Sequence, residues 1–147
     1  MGIAAGIEYC GVKFNGWQQQ KHASSVQKHA EDALSKVANH SVRIHYAGRI
    51  DAGVHALHQV IHFETHAYKE GYSWALGCNA NMCDDVSLLW AKRISEDFHA
   101  RFLATNRTYR YIILNRIVRP VIYNNLGTSG IEYRKDVFSG LSVCWRA

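Results

Sequence analysis

The chain has 147 residues, 48% of them hydrophobic and 20% charged, with a formal net charge of +5. That suits one domain of ordinary size with enough apolar material for a core, and charges this few and this dispersed exclude general disorder. The positive balance favours polyanionic partners, RNA or DNA above all, and no apolar run is long enough to cross a membrane.

Residues 3–9 alternate, with Ile3, Ala5, Ile7 and Tyr9 on one side, which predicts a strand. A Gly- and Gln-rich loop follows. Ser24-Ser25-Val26-Gln27 then resembles a capping box with Ser24 as N-cap and Gln27 at the third helical position. Behind it Val26, Ala30, Ala33, Leu34 and Val37 recur at helical spacing, and Asn39 is a plausible stop. Val42, Ile44 and Tyr46 alternate with polar neighbours as a strand, and Gly48 to Gly53 is a turn region. Residues 58–65 are strand-like, 68–80 hold a short helix, and 86–92 and 107–114 are further strands. The order is β-α-β-β-α-β plus an added strand. This predicts an α+β, two-layer, ferredoxin-like (RRM-like) antiparallel sheet with its helices on one face. Residues 121–147 have no clean period.

Four cysteines are present, Cys10, Cys78, Cys83 and Cys144, with no CxxC pair. Reduced thiols in a cytoplasmic protein are the default for this pattern. A zinc site on Cys78 and Cys83 lacks two further ligands at sensible spacing.

The stretch YAGRIDAGVHALHQVIHFET, residues 46–65, carries the chemistry. Asp51 sits between Arg49 and Gly53, ahead of His55, His58 and His62. Three readings fit the local sequence. Asp beside glycine is a common turn pair, with Arg49 neutralising it. A metal site would draw on the histidines, but on a strand only His58 and His62 share a face, and His55 would need the turn to bring it round. Finally, a carboxylate can serve as nucleophile, general base or general acid when a nearby cation favours its ionised form, a part Arg49 could play, with Gly48 and Gly53 permitting a sharp turn. The local sequence leaves all three open.

Longer-range pattern narrows them. Gly48-Arg49-Ile50-Asp51-Ala52-Gly53-Val54-His55 resembles the GRTDAGVHA signature of the tRNA pseudouridine synthase A family. Gly16-Trp17-Gln18 with Ser25-Val26-Gln27 is similar to its GWQ…SVQ, and Gln59-Val60 with His62-Phe63 to its QV.HF. Asn79-Ala80-Asn81 matches NAN, and Phe98-His99-Ala100-Arg101-Phe102 matches FHARF. Arg107 with Tyr109-Arg110-Tyr111 resembles R.YRY, and Arg119-Pro120 an RP. Seven short matches fall in the family's order, from about residue 3 to residue 120.

The resemblance implies that Asp51 is the catalytic nucleophile that converts uridine to pseudouridine, detaching uracil from C1′ and reattaching it through C5. Arg49 would orient and ionise Asp51, and Tyr109 would stack on the target base. Arg101, Arg107, Arg110, His55 and Gln18 are the expected RNA contacts. No metal and no cofactor is implied. The substrate implied is the anticodon stem-loop of tRNA, at uridines 38 to 40, and the family works as a homodimer. Asn79 and Asn81 are expected to fix a loop through side-chain-to-backbone hydrogen bonds. Trp17 is either core packing or, with the glutamines beside it, near RNA.

Departures bear on this expectation. Ile50 stands where the family has Thr, removing a hydroxyl beside the reactive acid, and Met82-Cys83 replaces a Leu-Pro. Family members are roughly twice this length, and their second half closes the active-site cleft. Residues 1–120 are therefore expected to be the N-terminal catalytic domain. Residues 121–147 are expected to be a poorly matching tail, the start of a truncated or missing second domain. The competing expectation is a non-catalytic tRNA- or RNA-binding module.

Overall fold

The computed structural model describes residues 1–18, 24–114, 121, 128–129 and 142–146, with backbone alone for 111–114, 128–129 and 142–146. The chain forms two compact units, residues 1–104 and 105–147.

The first unit has the expected βαββαβ order. Strand β1 spans Gly2–Tyr9, helix α1 Val26–Ala38, β2 Ile44–Tyr46, β3 Ala56–Glu64, α2 Gly71–Asn79 and β4 Val86–Ile94, with a 3-10 turn at Gly11–Lys13. The four strands form one sheet in the order β2-β3-β1-β4, and all three pairings are antiparallel. This is the α+β two-layer arrangement that the periodicities predicted.

Alternation along β1 explains the layering. Ile3, Ala5, Ile7 and Tyr9 are buried against the helices, with Ile61, Phe63, Leu88 and Ala91 from the neighbouring strands in the same core. Helix α1 adds Val26, Ala30, Leu34 and Ala38. Fully burying Val26 and Leu34 contributes about 1.5–3 kcal/mol each. On the opposite face β1 carries Gly2, Ala4 and Gly6. A side chain at Gly6 would collide with the Trp90 indole and the His58 imidazole. Those two rings close over the glycine, and Trp90 Nε1 donates to His58 Nε2 at 2.7 Å.

The helix starts one residue later than the capping-box reading placed it. The N-cap is Ser25, whose Oγ accepts from the Lys28 N–H at 3.4 Å. Ser24 Oγ instead meets His29 Nε2 at 3.1 Å, and Gln27 Nε2 donates to Glu31 at 3.0 Å. Glu31 also accepts the Ile44 N–H at 3.0 Å, tying α1 to β2. Asn39 ends the helix in the left-handed region, φ 58°, as expected for a C-terminal Asn.

Asn79 and Asn81 act as predicted. Asn79 Nδ2 donates to Leu88 O at 3.1 Å while its Oδ1 accepts from Leu88 N at 2.7 Å, and Asn81 Nδ2 donates to Gly77 O at 2.9 Å. Met82 and Cys83 pack partly buried against the core beside them.

In the second unit, β5 (Thr108–Leu114) pairs in parallel with β6 (Thr128–Ser129) and antiparallel with β7 (Ser142–Arg146). The added strand thus belongs to a separate three-stranded sheet. Arg116, Arg119 and Pro120 lie outside the described residues.

Candidate active site

The segment around Asp51 is a loop between β2 and β3, and its backbone is held from below. Trp17 N donates to Ile50 O at 3.0 Å, Gly53 N to Phe14 O at 3.4 Å and Val54 N to Asp51 O at 3.3 Å. At the loop's base, the buried Gln59 side chain donates from Nε2 to Gly48 O at 2.7 Å. His55 Nδ1 accepts from Gly11 N at 3.3 Å. Residues 11–17 therefore form a shelf on which the loop rests.

Two glycines make that contact possible. Gly16 has φ +93°, and a Cβ there would stand 2.9 Å from Ile50 O; Gly53 has φ +77° in open space. The sequence placed the permissive positions at Gly48 and Gly53. Gly53 fits, whereas Gly48 is absent from the positive-φ glycines and is held by Gln59 instead.

Trp17 anchors the shelf. Its ring is fully buried, 5.7 Å from Tyr9 and 5.5 Å from Tyr46 between centroids. Of the two readings for Trp17, core packing holds. Ile50 points partly into the same core while its carbonyl meets Trp17 N, so the residue that departs from the family pattern is an apolar anchor of the loop.

Asp51 itself is exposed at the tip, and so are Arg49 and Gln18. Among the described residues the ion pairs are Lys13–Asp85 and Lys28–Asp32, so Arg49 and Asp51 are not paired here. His55 is half-buried and committed to Gly11. Arg101 is exposed on the turn after β4. Arg107, Tyr109 and Arg110 are exposed residues of the second unit, and Tyr109 is in register with Trp145. A cavity of about 310 Å³ near the start of α2, lined by Tyr68, Lys69, Trp74 and Arg93 among others, contains none of the predicted site residues.

The histidines group differently from the sequence run. His55 and His58 go to other partners, whereas His45, His62 and His99 bring ligating nitrogen atoms within 4.8 Å of one another. His45 and His62 face each other across β2 and β3 and stack at 4.8 Å; His99 meets His62 edge-on at 4.7 Å. The hydrogen bonds decide how such a cluster behaves. His62 Nδ1 accepts from Ala100 N, and His99 Nδ1 from Arg101 N and Phe102 N. A neutral ring whose Nδ1 accepts carries its proton on Nε2. A metal-binding histidine shows the opposite habit, donating its second ring N–H to an acceptor. Burial, followed by the His45 and His99 imidazoles, pushes His62 down to about 4, so it is neutral near pH 7. Cys78 is a core residue whose thiol burial pushes up to about 12.

The loop shelf and Gln59 were not read as supports from the sequence. Their signal was present in the motif matches, where Gly16 precedes Trp17 and Gln59 precedes Val60.

Known proteins resemble this chain over most of its length. A family model described as tRNA pseudouridine synthase matches residues 5–103. A tRNA pseudouridine synthase A of Psychromonas ingrahamii is 52% identical over 137 residues, 93% of this chain and 51% of that protein. Those of Vibrio parahaemolyticus and Aeromonas salmonicida are 53% identical over 125 residues and 50% identical over 141 residues. They cover 85% and 96% of this chain and 47% and 51% of their own. The chain thus spans about half the length of the curated relatives it matches, and the alignment over 141 residues carries the likeness past residue 120.

Proposed function

The chain belongs to the tRNA pseudouridine synthase family, and we propose that it carries the Asp51-bearing half of an isomerase that turns uridine into pseudouridine in the anticodon stem-loop of tRNA, at positions 38 to 40. The observation that carries the reading is the loop itself. An exposed carboxylate stands at the tip of a segment whose backbone is fixed by Trp17, Phe14 and Gln59. A nucleophile needs that combination, with a reactive group open to substrate and a frame that does not yield when substrate arrives.

The reaction is balanced without a cofactor. The N1–C1′ bond of uridine breaks, uracil turns, and C5 bonds to C1′ while the proton at C5 leaves and N1 takes up a proton. Asp51 attacks as a carboxylate, at the ribose or at the base, and is released when the new bond is complete. The target nucleotide has to leave its stack, which costs a few kcal/mol. Tyr109 would return about 1–3 kcal/mol by stacking on the base. Arg49 would meet the extruded nucleotide and favour the ionised Asp51. Arg101, Arg107 and Arg110 would hold phosphates, with Gln18 and His55 near the RNA. A homodimer and a cytoplasmic setting complete the proposal.

Release of tritium from C5-labelled uridine in tRNA tests it. The expected result is release by the wild-type sequence and loss of about a thousandfold or more for Asp51→Ala, the scale on which removing a covalent nucleophile acts. Normal release by Asp51→Ala overturns the assignment. Salt-sensitive tRNA binding with no release by the wild type would instead favour the non-catalytic RNA-binding module.

A further inference from the structure

On the face of the sheet away from the helices, the turn that follows β4 is fastened to the sheet by imidazoles. His62 Nδ1 accepts from Ala100 N at 3.2 Å. His99 Nδ1 accepts from Arg101 N at 3.2 Å and Phe102 N at 3.4 Å, while Leu103 N bonds back to His99 O at 2.9 Å. Phe98 packs edge-on against the His62 ring at 5.9 Å, and Ala100 is buried beneath the turn. His45 stacks on His62 from β2.

What the turn displays contrasts with how it is held. Arg101 is exposed, and Phe102 is 76% exposed although its ring lies only 4.2 Å from His99. A large aromatic left open to water beside an arginine, on a turn with this many backbone anchors, has the composition of a single-stranded RNA contact. The guanidinium suits a phosphate and the ring suits a base.

We propose that His62 and His99 are positioning residues for RNA binding: as neutral acceptors protonated on Nε2, they hold the 98–103 turn so that Arg101 and Phe102 are presented to a phosphate and a base of the bound tRNA. The inference rests on the RNA-binding reading above. Three features of the geometry support it. Each Nδ1 is spent on a backbone N–H of the turn. The titratable groups that face His62 are His45, His99 and Glu64, of which Glu64 alone favours a charged ring. Lys92 lies beyond Ala4 in register on β4.

The test combines amide hydrogen exchange with tRNA binding in the 147-residue chain. In His62→Leu, exchange at Ala100 is expected to quicken and tRNA affinity to fall about three- to tenfold, the scale of losing one phosphate contact. His99→Leu is expected to act likewise at Arg101 and Phe102. His62→Asn, whose amide oxygen can stand where Nδ1 stood, is expected to restore both readouts, which separates lost positioning from general damage to the fold. His62→Leu added to the double variant Arg101→Ala, Phe102→Ala is expected to bind no worse than that double variant alone, because the changes remove the same two contacts. Additive losses overturn the proposal, as does unchanged binding by His62→Leu and His99→Leu when the wild type binds. A wild-type chain that binds no tRNA at low salt overturns the RNA-binding reading itself, and this inference with it.

Discussion

Gly16 packs against the backbone of residues 50–52 and Gly53 follows Asp51 by two residues; both have positive φ, yet they will not respond alike to substitution. At Gly53 an added Cβ meets nothing within 4 Å, so Gly53→Ala costs only the left-handed conformation, about 1–2 kcal/mol. At Gly16 the same strain is joined by a Cβ 2.9 Å from Ile50 O and 3.3 Å from Ala52 N, and neither backbone atom can turn aside. Gly16→Ala is therefore expected to cost more, about 2–4 kcal/mol, and to displace the Asp51 loop. Urea melts of the two variants, with tritium release measured alongside, check this; equal destabilisation would mean that the shelf does not press on the loop. Gln59→Leu probes the other support. It keeps the bulk but leaves Gly48 O without its donor, an expected loss of about 1–3 kcal/mol. Local sequence left Asp51 open as a turn residue, a ligand or a reactive group, and it became legible as a candidate through the ordered motif matches along the chain. It could not show Gly16 as a support, because the contact joins positions more than thirty residues apart and depends on two backbones meeting. Nor could it show that Arg49 and Asp51 stand unpaired, since proximity along the chain does not fix where two side chains point.

At the scale of elements, periodicity carried most of the information. Alternation in β1 and the spacing of Val26, Ala30 and Leu34 follow directly from which face is buried, so both elements were readable from apolar positions alone. Boundaries were not, because two consecutive serines offer the same cap chemistry and only the helix geometry chooses between them. Ser25→Ala is expected to cost about 0.5–2 kcal/mol, and Ser24→Ala a few tenths. Thermal melting of the pair checks the cap, and a larger loss at Ser24 would return it to the capping-box position. The same limit explains β5. A strand's alternation reveals its faces but not its neighbours, so nothing in residues 107–114 announced a separate sheet with β6 and β7. Gly6 gives a further test of the open face. Gly6→Val must push the Trp90 and His58 rings off β1, and Trp90 fluorescence is expected to shift to the red as the indole meets water; an unmoved spectrum would mean the rings do not close over the glycine.

For the molecule as a whole, charge sets the acid limit. The chain already carries +5 with its nine histidines neutral, so falling pH adds positive charge to a basic protein. Among them His62 responds in a distinct way. Its ring is buried between His45 and His99, which holds the folded value at about 4 against 6.5 for an ordinary histidine. Between those values the unfolded chain binds more protons at this residue than the folded chain does, so stability rises with pH there. The contribution is complete above about pH 6.5, is lost progressively as pH falls to about 4, and changes no further below that. Allowing for solvent screening, the loss is on the order of 1–2 kcal/mol. His62→Phe keeps a flat ring but removes the titration. The difference in unfolding free energy between wild type and His62→Phe, followed from pH 7.5 to 4, is expected to slope across that window and to flatten above it. Carboxylates and the other histidines titrate in both proteins, so their contributions largely cancel in the difference, apart from the coupling of His45 and His99 to His62 itself. A difference that stays constant from pH 7.5 to 4 would show that His62 takes up its proton as readily folded as unfolded, and that the imidazole cluster does not limit the acid stability of this sheet.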